Sequence, residues 1–402
     1  MSIPERPQLR PFLAAAPDEG DPRFVILWDR LGIGAGPQRL TLLEFACLQM
    51  FDGQRTLRDI QAEAIRRVGG ELLPFEMFVT LAKRMEEALF LDGPRFRDRL
   101  AGPIREPSCL DSYGSDPDEV RRLVRRQFTD PRGPGLPGPP RPDGRLRGAL
   151  IPHIDYYRGG VSYAWGFKEV IERTDASLFV IIGTSHLGAR NFALTRKDFK
   201  TPLGIARTDQ TFIDRLVAHY GDGLFDDELV HLPEWSIELE VVFLQYLHGD
   251  RPFRIVPLLV GSFQDVIEAD KLPLNRPDVA RMVEALRRAE AETQEPVCYL
   301  ISGDLAHIGP KFGDPEPVRP AALAHSREQD QAILRQAEAA DPAGYFRVIA
   351  DEGDRRRICG LPPTYVALEA MRPSHGRLLH YDQYVHPRGH ESVSFASVAF
   401  YR

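Results

Sequence analysis

This chain of 402 residues has few cysteines, no long apolar run and no start that resembles a signal peptide. Its four cysteines are widely scattered and include no CxxC pair, which argues against a disulfide framework and favours a reducing compartment. No apolar run approaches the roughly 20 residues that span a bilayer. The first residues, MSIPERPQLRPFL, have charges and prolines where a signal peptide needs apolar residues. We therefore expect a cytoplasmic protein with no membrane partner.

An excess of basic charge is missing as well. The 51 Lys and Arg residues face 58 Asp and Glu residues, which gives a net charge of -7. Such a balance disfavours non-specific binding to nucleic acid or to an anionic membrane. The hydrophobic fraction of 43% is ordinary for a globular protein, and the length predicts roughly two to three domains. Nucleic acid is therefore not an expected partner.

Residues 1–95 have the pattern of a small winged-helix-like domain, with short strands and three helices marked by apolar spacing and capping residues. The predicted elements are a strand FVILWD, a helix in LTLLEFACLQMFDG, a helix capped by Thr56 with Asp59 three positions later, a helix over 75–88 and a strand in LFLDG.

Residues 96–146 connect this domain to the next. A helix is predicted over 116–128, because DPDEVRRLVRRQF begins with acidic residues and continues with arginines, as helix ends favour. Residues 130–144, DPRGPGLPGPPRPDG, are nearly all proline, glycine and charge, so they predict an exposed loop.

Residues 147–402 have the alternation of an α/β domain. Short continuous apolar runs are typical of strands buried on both faces of a largely parallel sheet, and they are GALIPH, SLFVIIGTSH, RIVPLLVG and VCYLISGD. Helices are predicted between them, over about 163–172, 210–220, 236–247 and 279–292. Near the end, LLHYDQY and ESVSFASVAFY alternate more and predict further strands. The predicted fold class is α/β, an open and mostly parallel sheet with flanking helices.

Polar residues of catalytic type follow the strongest predicted strands. Ligands of open α/β sheets bind outside the carboxyl ends of the strands, so these residues are expected to meet at one rim. They are His153 and Asp155, Ser185 and His186, Asp304 and His307, and, at the start of a helix, His231, Glu234, Ser236 and Glu238.

Histidines and carboxylates gathered at one rim indicate a bound metal. Two neutral imidazoles and one carboxylate form the ligand set of many non-haem iron sites and also suit zinc. The alternative is that each histidine only bonds a backbone carbonyl after its strand, and that Glu234 and Glu238, one helical turn apart, belong to a solvated face. No local motif such as HExxH is present, so the prediction depends on the fold bringing the segments together.

Several segments from about residue 105 onwards resemble the Memo family. They occur in that family's order, and they are YGSDPDEV, IPHIDYYRGGVSYAWGF, IIGTSH, KTPLG, HLPEWSIELEVVFLQ, RIVPLLVG, ISGDLAHIGPKFG, ICGLPP and LLHYDQY. The resemblance implies a fold similar to that of the class III extradiol dioxygenases, which place non-haem iron at a strand-end site of this kind.

The resemblance also implies roles for individual residues. It makes His153 and His186 metal ligands. It matches Asp304 and His307 to the family's Ser-Asp-x-x-His segment. The third ligand implied by the family is a cysteine directly before that last histidine, where this chain has Ala306. The residues left to supply a third ligand are Asp155, Asp304, His307, His231 and Cys359, the last in a family-like Cys-Gly segment.

A second family motif, Glu-His-Ser-x-Glu, is altered in this chain. Trp235 stands where the family has histidine, between Glu234 and Ser236, and Glu238 completes the motif. The predicted pocket comprises Ser185, Glu234, Trp235, Ser236, Glu238, Ala306 and Cys359, and the predicted catalytic residues are Asp304, His231 and His307.

The N-terminal segment LTLLEFACLQMFDGQRTLRDIQAEAIRRVGG resembles PqqD-like domains. These are winged-helix modules that bind the leader peptides of ribosomally made, modified peptides by adding a strand to a sheet edge. The resemblance therefore implies a peptide partner. A DNA-binding winged helix is the alternative, but Asp59 and Glu63 lie among the arginines of the candidate recognition helix, which disfavours phosphate contacts. A purely structural or partner-docking domain also remains open.

Three functions follow as hypotheses. The first is a metal-dependent oxidoreductase, similar to a dioxygenase, that uses iron, with copper or zinc as other candidate metals, and acts on a peptide or small molecule. The second is a non-enzymatic protein whose degenerate pocket holds a peptide or metabolite, since the bulky Trp235 could fill an open coordination position. The third is a zinc hydrolase, because histidine and carboxylate ligands also suit zinc.

Overall fold

The computed structural model describes residues 4–188 and 190–402. The chain forms two compact units, Met1–Pro103 and Ile104–Arg402. Phe96 is buried under the Arg10 guanidinium, 4.9 Å from its ring centre, which ties the end of the first unit to its beginning. No helix in the described part of the chain combines the length and the apolar character that a membrane crossing needs.

The first unit contains an antiparallel sheet of three strands and short helices. Its elements are β1 (Leu13–Pro17), β2 (Phe24–Asp29), β3 (Gln38–Thr41), α1 (Leu42–Leu48), α2 (Leu57–Arg67), α3 (Phe75–Glu87) and α4 (Pro94–Leu100). The predicted cap of α2 is confirmed, since Thr56 and Asp59 each accept a hydrogen bond from the other's backbone N–H. The prediction of a strand in LFLDG is wrong. That segment forms a single bridge between Leu91 and Leu9, because Leu89 has a left-handed φ of 60° that turns the chain after α3.

The second unit alternates strands and helices, as its sequence pattern predicts. Its elements are β4 (Ile104–Arg105), α5 (Pro117–Thr129), β5 (Leu146–Ile151), α6 (Tyr156–Arg173), β6 (Leu178–Thr184), β7 (Phe192–Leu194), β8 (Asp198–Thr201), β9 (Gly204–Thr208), α7 (Gln210–Tyr220), α8 (Ser236–His248), β10 (Arg254–Val260), α9 (Gln264–Glu268), α10 (Pro277–Ala291), β11 (Val297–Ser302), β12 (His307–Ile308), α11 (Pro320–Glu338), α12 (Pro342–Asp351), α13 (Leu361–Met371), β13 (His375–Val385) and β14 (Ser392–Tyr401).

The larger sheet confirms the predicted open, mostly parallel architecture. Its strand order is β12-β14-β5-β11-β6-β10-β9-β8-β4, with β13 beside β14 and β7 beside β10. The central strands β5, β11, β6, β10 and β9 are parallel, and β14 runs antiparallel to β5. β5, β6 and β11 are buried along their whole length, which is why they read as continuous apolar runs.

Helices cover both faces of this sheet. On one face α5, α6 and α8 pack against one another, and on the other α10 packs against α7 and α13, with α11 and α12 continuing that layer. Because β5, β11 and β6 are adjacent and parallel, their carboxyl ends lie side by side at one edge. The loops that follow these three strands are therefore brought together by the sheet itself.

Candidate metal centre

Three neighbouring strands deliver polar residues to this edge of the sheet. His153 follows β5, His186 follows β6 and Asp304 follows β11, each two positions after the last residue of its strand. The rings of the two histidines lie 5.2 Å apart between their centroids. The structure thus brings together the two histidines that the sequence analysis proposes as ligands.

A cysteine joins this group from a distant part of the chain. Cys359 lies in the loop between α12 and α13, and its Sγ is 3.1 Å from His153 Nε2. One ligand atom from each of His153, His186 and Cys359 lies within 4.8 Å of the other two. A second group, which consists of Asp304, His307 and Cys359, meets the same limit. Two imidazoles and a thiolate are donors that bind first-row transition metals.

Glu234 orients the ring of His186. His186 Nδ1 lies 3.0 Å from both oxygens of the Glu234 carboxylate, which also accepts the His186 backbone N–H at 2.9 Å. Partial burial acts to lower the pKa of His186, but the charge and the hydrogen bond of Glu234 raise it above its usual value. With Nδ1 engaged, Nε2 is the atom left for a metal. A carboxylate in this position fixes the orientation of a ligating histidine.

His153 is held as a neutral imidazole. Burial, together with the neighbouring His186, lowers its pKa to about 3, so the ring is uncharged at neutral pH, the form that binds metals. Ser302 Oγ lies 3.4 Å from its Nδ1, and the Asp304 carboxylate accepts its backbone N–H at 3.0 Å. Its Nε2 is therefore the atom that faces Cys359.

The backbone around Cys359 is held by hydrogen bonds to the end of β6 and to the loop after β11. Thr184 Oγ1 donates to the Cys359 carbonyl at 2.8 Å, and the Gly360 N–H donates to the Asp304 carbonyl at 2.9 Å. Burial raises the pKa of the thiol well above its usual range, and Asp304 adds to this effect. The thiol is therefore protonated at neutral pH, and a metal cation would displace its proton on binding.

Trp235 forms part of the outer wall of the group. Its indole stacks on the His186 ring at 4.2 Å with an interplanar angle of 17°, and it meets the His153 ring edge-on at 6.5 Å. The indole therefore covers one face of the imidazole ring. The residue is 36% exposed, so one side of the wall faces solvent.

Two of the proposed third ligands are used elsewhere. Asp155 caps α6 by accepting the Tyr157 and Arg158 N–H groups, and its carboxylate pairs with the Arg158 side chain. His231 Nε2 lies 3.1 Å from the Ala193 carbonyl, and burial lowers its pKa to about 4. Neither residue belongs to the two groups of candidate ligands among the described residues.

His307 belongs to the second group. Its Nδ1 lies 3.1 Å from the Leu305 carbonyl and 3.0 Å from the Arg357 carbonyl. Donation to these carbonyls leaves Nε2 as the atom available to Asp304 and Cys359. Burial lowers the pKa of His307, so the ring is neutral at neutral pH.

The remaining pocket residues contact the backbone or lie behind the group. Ser236 Oγ donates to the Thr184 carbonyl at 3.0 Å. Ser185 Oγ accepts the Gly188 N–H at 3.1 Å. Ala306 is buried, and its N–H donates to Ser394 Oγ. Glu238 pairs with the buried Arg105.

Two residues outside the predicted pocket touch the group. Thr184 and Ser302 are the last residues of β6 and β11, and they contact Cys359 and His153. The strand-end rule that identifies the histidines applies equally to these hydroxyl residues, so the signal was available in the sequence.

Comparison with known proteins finds relatives along most of the chain. A family model described as Memo-like protein matches residues 106–399. A MEMO1 family protein from Aquifex aeolicus is 26% identical over 396 residues, covering 94% of this chain and 96% of the relative. A MEMO1 family protein from Methanopyrus kandleri is 29% identical over 299 residues, covering 72% and 96%. Another, from Thermotoga neapolitana, is 34% identical over 212 residues, covering 51% and 70%.

Proposed function

Because the chain belongs to the Memo family, we propose that His153, His186 and Cys359 hold a redox-active transition metal in a metal-dependent oxidoreductase. The observation that carries the proposal is the meeting of donor atoms from three separate chain segments within 4.8 Å of one another. The substrate we propose is a small molecule or a peptide that reaches the group from its exposed side.

The donor chemistry fits iron or copper. Imidazole suits both metals as well as zinc, and thiolate favours the softer ions. Iron stands first because the family's fold is similar to that of the iron-dependent extradiol dioxygenases, and copper stands second because the third donor is sulfur. When bound, such a metal would orient oxygen or substrate by direct coordination and supply one-electron chemistry.

The chain's own residues would prepare the site for proton transfer. Glu234 holds the His186 ring so that Nε2 is available. His307 is the proton acceptor we propose, because its Nδ1 donates to backbone carbonyls and its Nε2 carries no proton at neutral pH. A neutral imidazole of this kind can take a proton from a substrate held beside it.

The first unit is the part that we propose for binding a peptide partner. β1 and β3 are the outer strands of its sheet, and each has one side without a strand partner among the described residues. An extended peptide can add to such an edge through main-chain hydrogen bonds. Backbone NMR shifts confined to β1 or β3 on adding a pool of extended peptides would support this role, and shifts confined to the helices would contradict it.

A binding protein without enzymatic activity is the alternative. It is favoured by the Trp235 indole, which is 36% exposed and lies at the candidate site, where it offers a flat surface for a planar ligand. In that case a metabolite or peptide would bind whether or not a metal is present.

Metal content tests the proposal. Protein purified anaerobically without chelator is compared by elemental analysis with His153→Ala/His186→Ala and with a control, His325→Ala/His390→Ala, that removes two exposed histidines. We expect near-stoichiometric iron or copper in the unmodified protein and the control, and its loss in the first variant. Zinc alone would favour a hydrolase. No metal, even after reconstitution with iron, copper or zinc, would favour the binding protein.

A further inference from the structure

Arg105 is a buried cation that lies behind the candidate metal centre and donates hydrogen bonds to the turn that carries Glu234. Its side chain is fully buried on β4. Its Nε donates to the His231 carbonyl at 2.9 Å, and its Nη2 donates to the Glu234 carbonyl at 2.6 Å. Its Nη1 pairs with the Glu238 carboxylate. One guanidinium therefore holds both ends of the turn that carries Glu234 and leads into α8.

Glu238 balances this cation and fastens it from the other side. Its carboxylate accepts the Ser108 N–H at 2.9 Å, the Ser108 hydroxyl at 3.0 Å and the Cys109 N–H at 3.3 Å, and also the Tyr113 hydroxyl. Burial acts to raise the pKa of Glu238, but Arg105 and these donors lower it below its usual value. The pair is therefore ionised, and it ties the segment that carries these donors to the first turn of α8.

A second Arg–Glu pair, in which the arginine is buried and the glutamate is partly exposed, lies at the opposite end of the strands. Arg147, near the start of β5, pairs with Glu290 and donates to the Met371 carbonyl at 3.3 Å. These partners lie at the ends of α10 and α13, and they contact no candidate ligand through these bonds. Arg147 is thus a control for the loss of an Arg–Glu pair that lies away from the candidate site.

We propose that Arg105 is a positioning residue of the metal centre. By fixing the main chain at Glu234, its guanidinium sets the carboxylate that holds His186 Nδ1 and the indole that stacks on the same ring. Lysine would keep a charge opposite Glu238, but an ammonium cannot span two carbonyls and a carboxylate as the planar guanidinium does. The inference rests on the proposed function for its effect on metal affinity, whereas its effect on the His186 ring needs no metal.

The matched variants Arg105→Lys and Arg147→Lys test the inference in the full chain. In the metal-free protein, the His186 ring stacks on the Trp235 indole with 4.2 Å between the two ring centroids. The ring current of the indole therefore shifts the NMR signals of the His186 ring protons upfield. We expect Arg105→Lys to move these signals towards unstacked values and Arg147→Lys to leave them in place. Titrated with Co²⁺, Arg105→Lys should bind about 10–100-fold more weakly than the unmodified protein, a loss typical of removing a group that orients a ligand.

The outcomes separate this inference from the proposed function. Unchanged His186 signals and unchanged Co²⁺ affinity in Arg105→Lys, whatever its loss of thermal stability, would make Arg105 purely structural and overturn the inference. If the unmodified chain binds no Co²⁺ but Arg105→Lys still moves the His186 signals, the positioning role stands and the metal function fails. If Arg105→Lys does not fold, the double variant Arg105→Met/Glu238→Met replaces both members of the pair by apolar side chains. Proteins often tolerate such a replacement of a buried ion pair. The same two measurements then apply to this variant.

Discussion

Cys359 reaches the two histidines because a pair of glycines lets two backbones approach closely. A Cβ added to Gly303 would lie 2.5 Å from Gly360 Cα, and one added to Gly360 would lie 2.6 Å from the Asp304 carbonyl oxygen. Neither position has room for a side chain, so the loop that carries Cys359 lies directly on the end of β11. The position of the sulfur therefore depends on residues that have no donor atoms of their own.

The first prediction concerns the sulfur donor. Cys359→Ala should weaken Co²⁺ binding by more than about 100-fold, because Cys359 is one of the three candidate donors. This loss exceeds the one typical of removing a group that only orients a ligand. Cys298→Ala is the control, since Cys298 is fully buried in β11 and its pKa is raised by burial to about 12. The sulfur-to-metal charge-transfer absorption should vanish in the first variant and persist in the second. Absorption that persists in Cys359→Ala would assign the sulfur ligand to another cysteine.

At the scale of elements, the segment between α12 and α13 has an unusual backbone. Asp354 and Arg357 have left-handed φ values of 48° and 56°, a region that non-glycine residues rarely occupy. The Asp354 carboxylate accepts the Ile358 N–H at 2.7 Å, and Arg357 donates to the His307 carbonyl at 3.1 Å. These bonds fix the turn that ends at Cys359 in its left-handed backbone conformation, and this conformation determines where the candidate ligand lies.

The same turn predicts a dependence of stability on pH. Burial raises the pKa of Asp354 from 3.8 to about 6, so the folded chain binds this proton more tightly than the unfolded chain. The contribution of Asp354 to the free energy of unfolding is therefore complete below about pH 4, and it is lost as the pH rises through about 6. Asp354→Asn keeps the acceptor oxygen and should raise the free energy of unfolding above pH 6 by about 2 kcal/mol. Identical profiles of unfolding free energy against pH for the two proteins would contradict this.

Helix α6 begins at Tyr156, earlier than its sequence pattern predicts. Its first turns contain Gly159 and Gly160, which weaken a helical pattern. A Cβ at Gly159 would lie 2.2 Å from Ile154 Cγ2, and one at Gly160 would lie 2.5 Å from the Gln127 side chain. The glycines thus allow close packing around the helix, a requirement that periodicity in the sequence does not reveal.

At the scale of the whole molecule, the candidate metal centre lies within one unit. His153, His186, Cys359 and the orienting Glu234 all belong to Ile104–Arg402. We therefore expect residues 104–402, produced alone, to fold and to bind Co²⁺ with the stoichiometry and affinity of the full chain, as calorimetry would measure. Weaker binding by the folded fragment would assign part of the site to residues 1–103.

The sequence by itself determined the class of fold and the position of the two histidines. Continuous apolar runs mark β5, β6, β10 and β11 as strands buried on both faces. The rule that ligands lie beyond the carboxyl ends of such strands then singles out His153 and His186. Both inferences depend on burial, which a run of apolar side chains records directly, and on the parallel arrangement that such continuous runs indicate.

Only the tertiary structure brings a third candidate donor to the two histidines and shows what the carboxylates contact. The sequence predicts Asp155 as a ligand and offers Cys359 as a further candidate, but Asp155 caps α6 whereas Cys359 Sγ lies 3.1 Å from His153 Nε2. Glu238 has the spacing of a pocket residue, yet it balances Arg105 behind the site. These outcomes depend on how α12 and α13 pack against the sheet and on the pairing of β4 with β8 at its edge. Contacts between segments so far apart in the chain leave no periodic pattern, because the packing of the whole unit decides them.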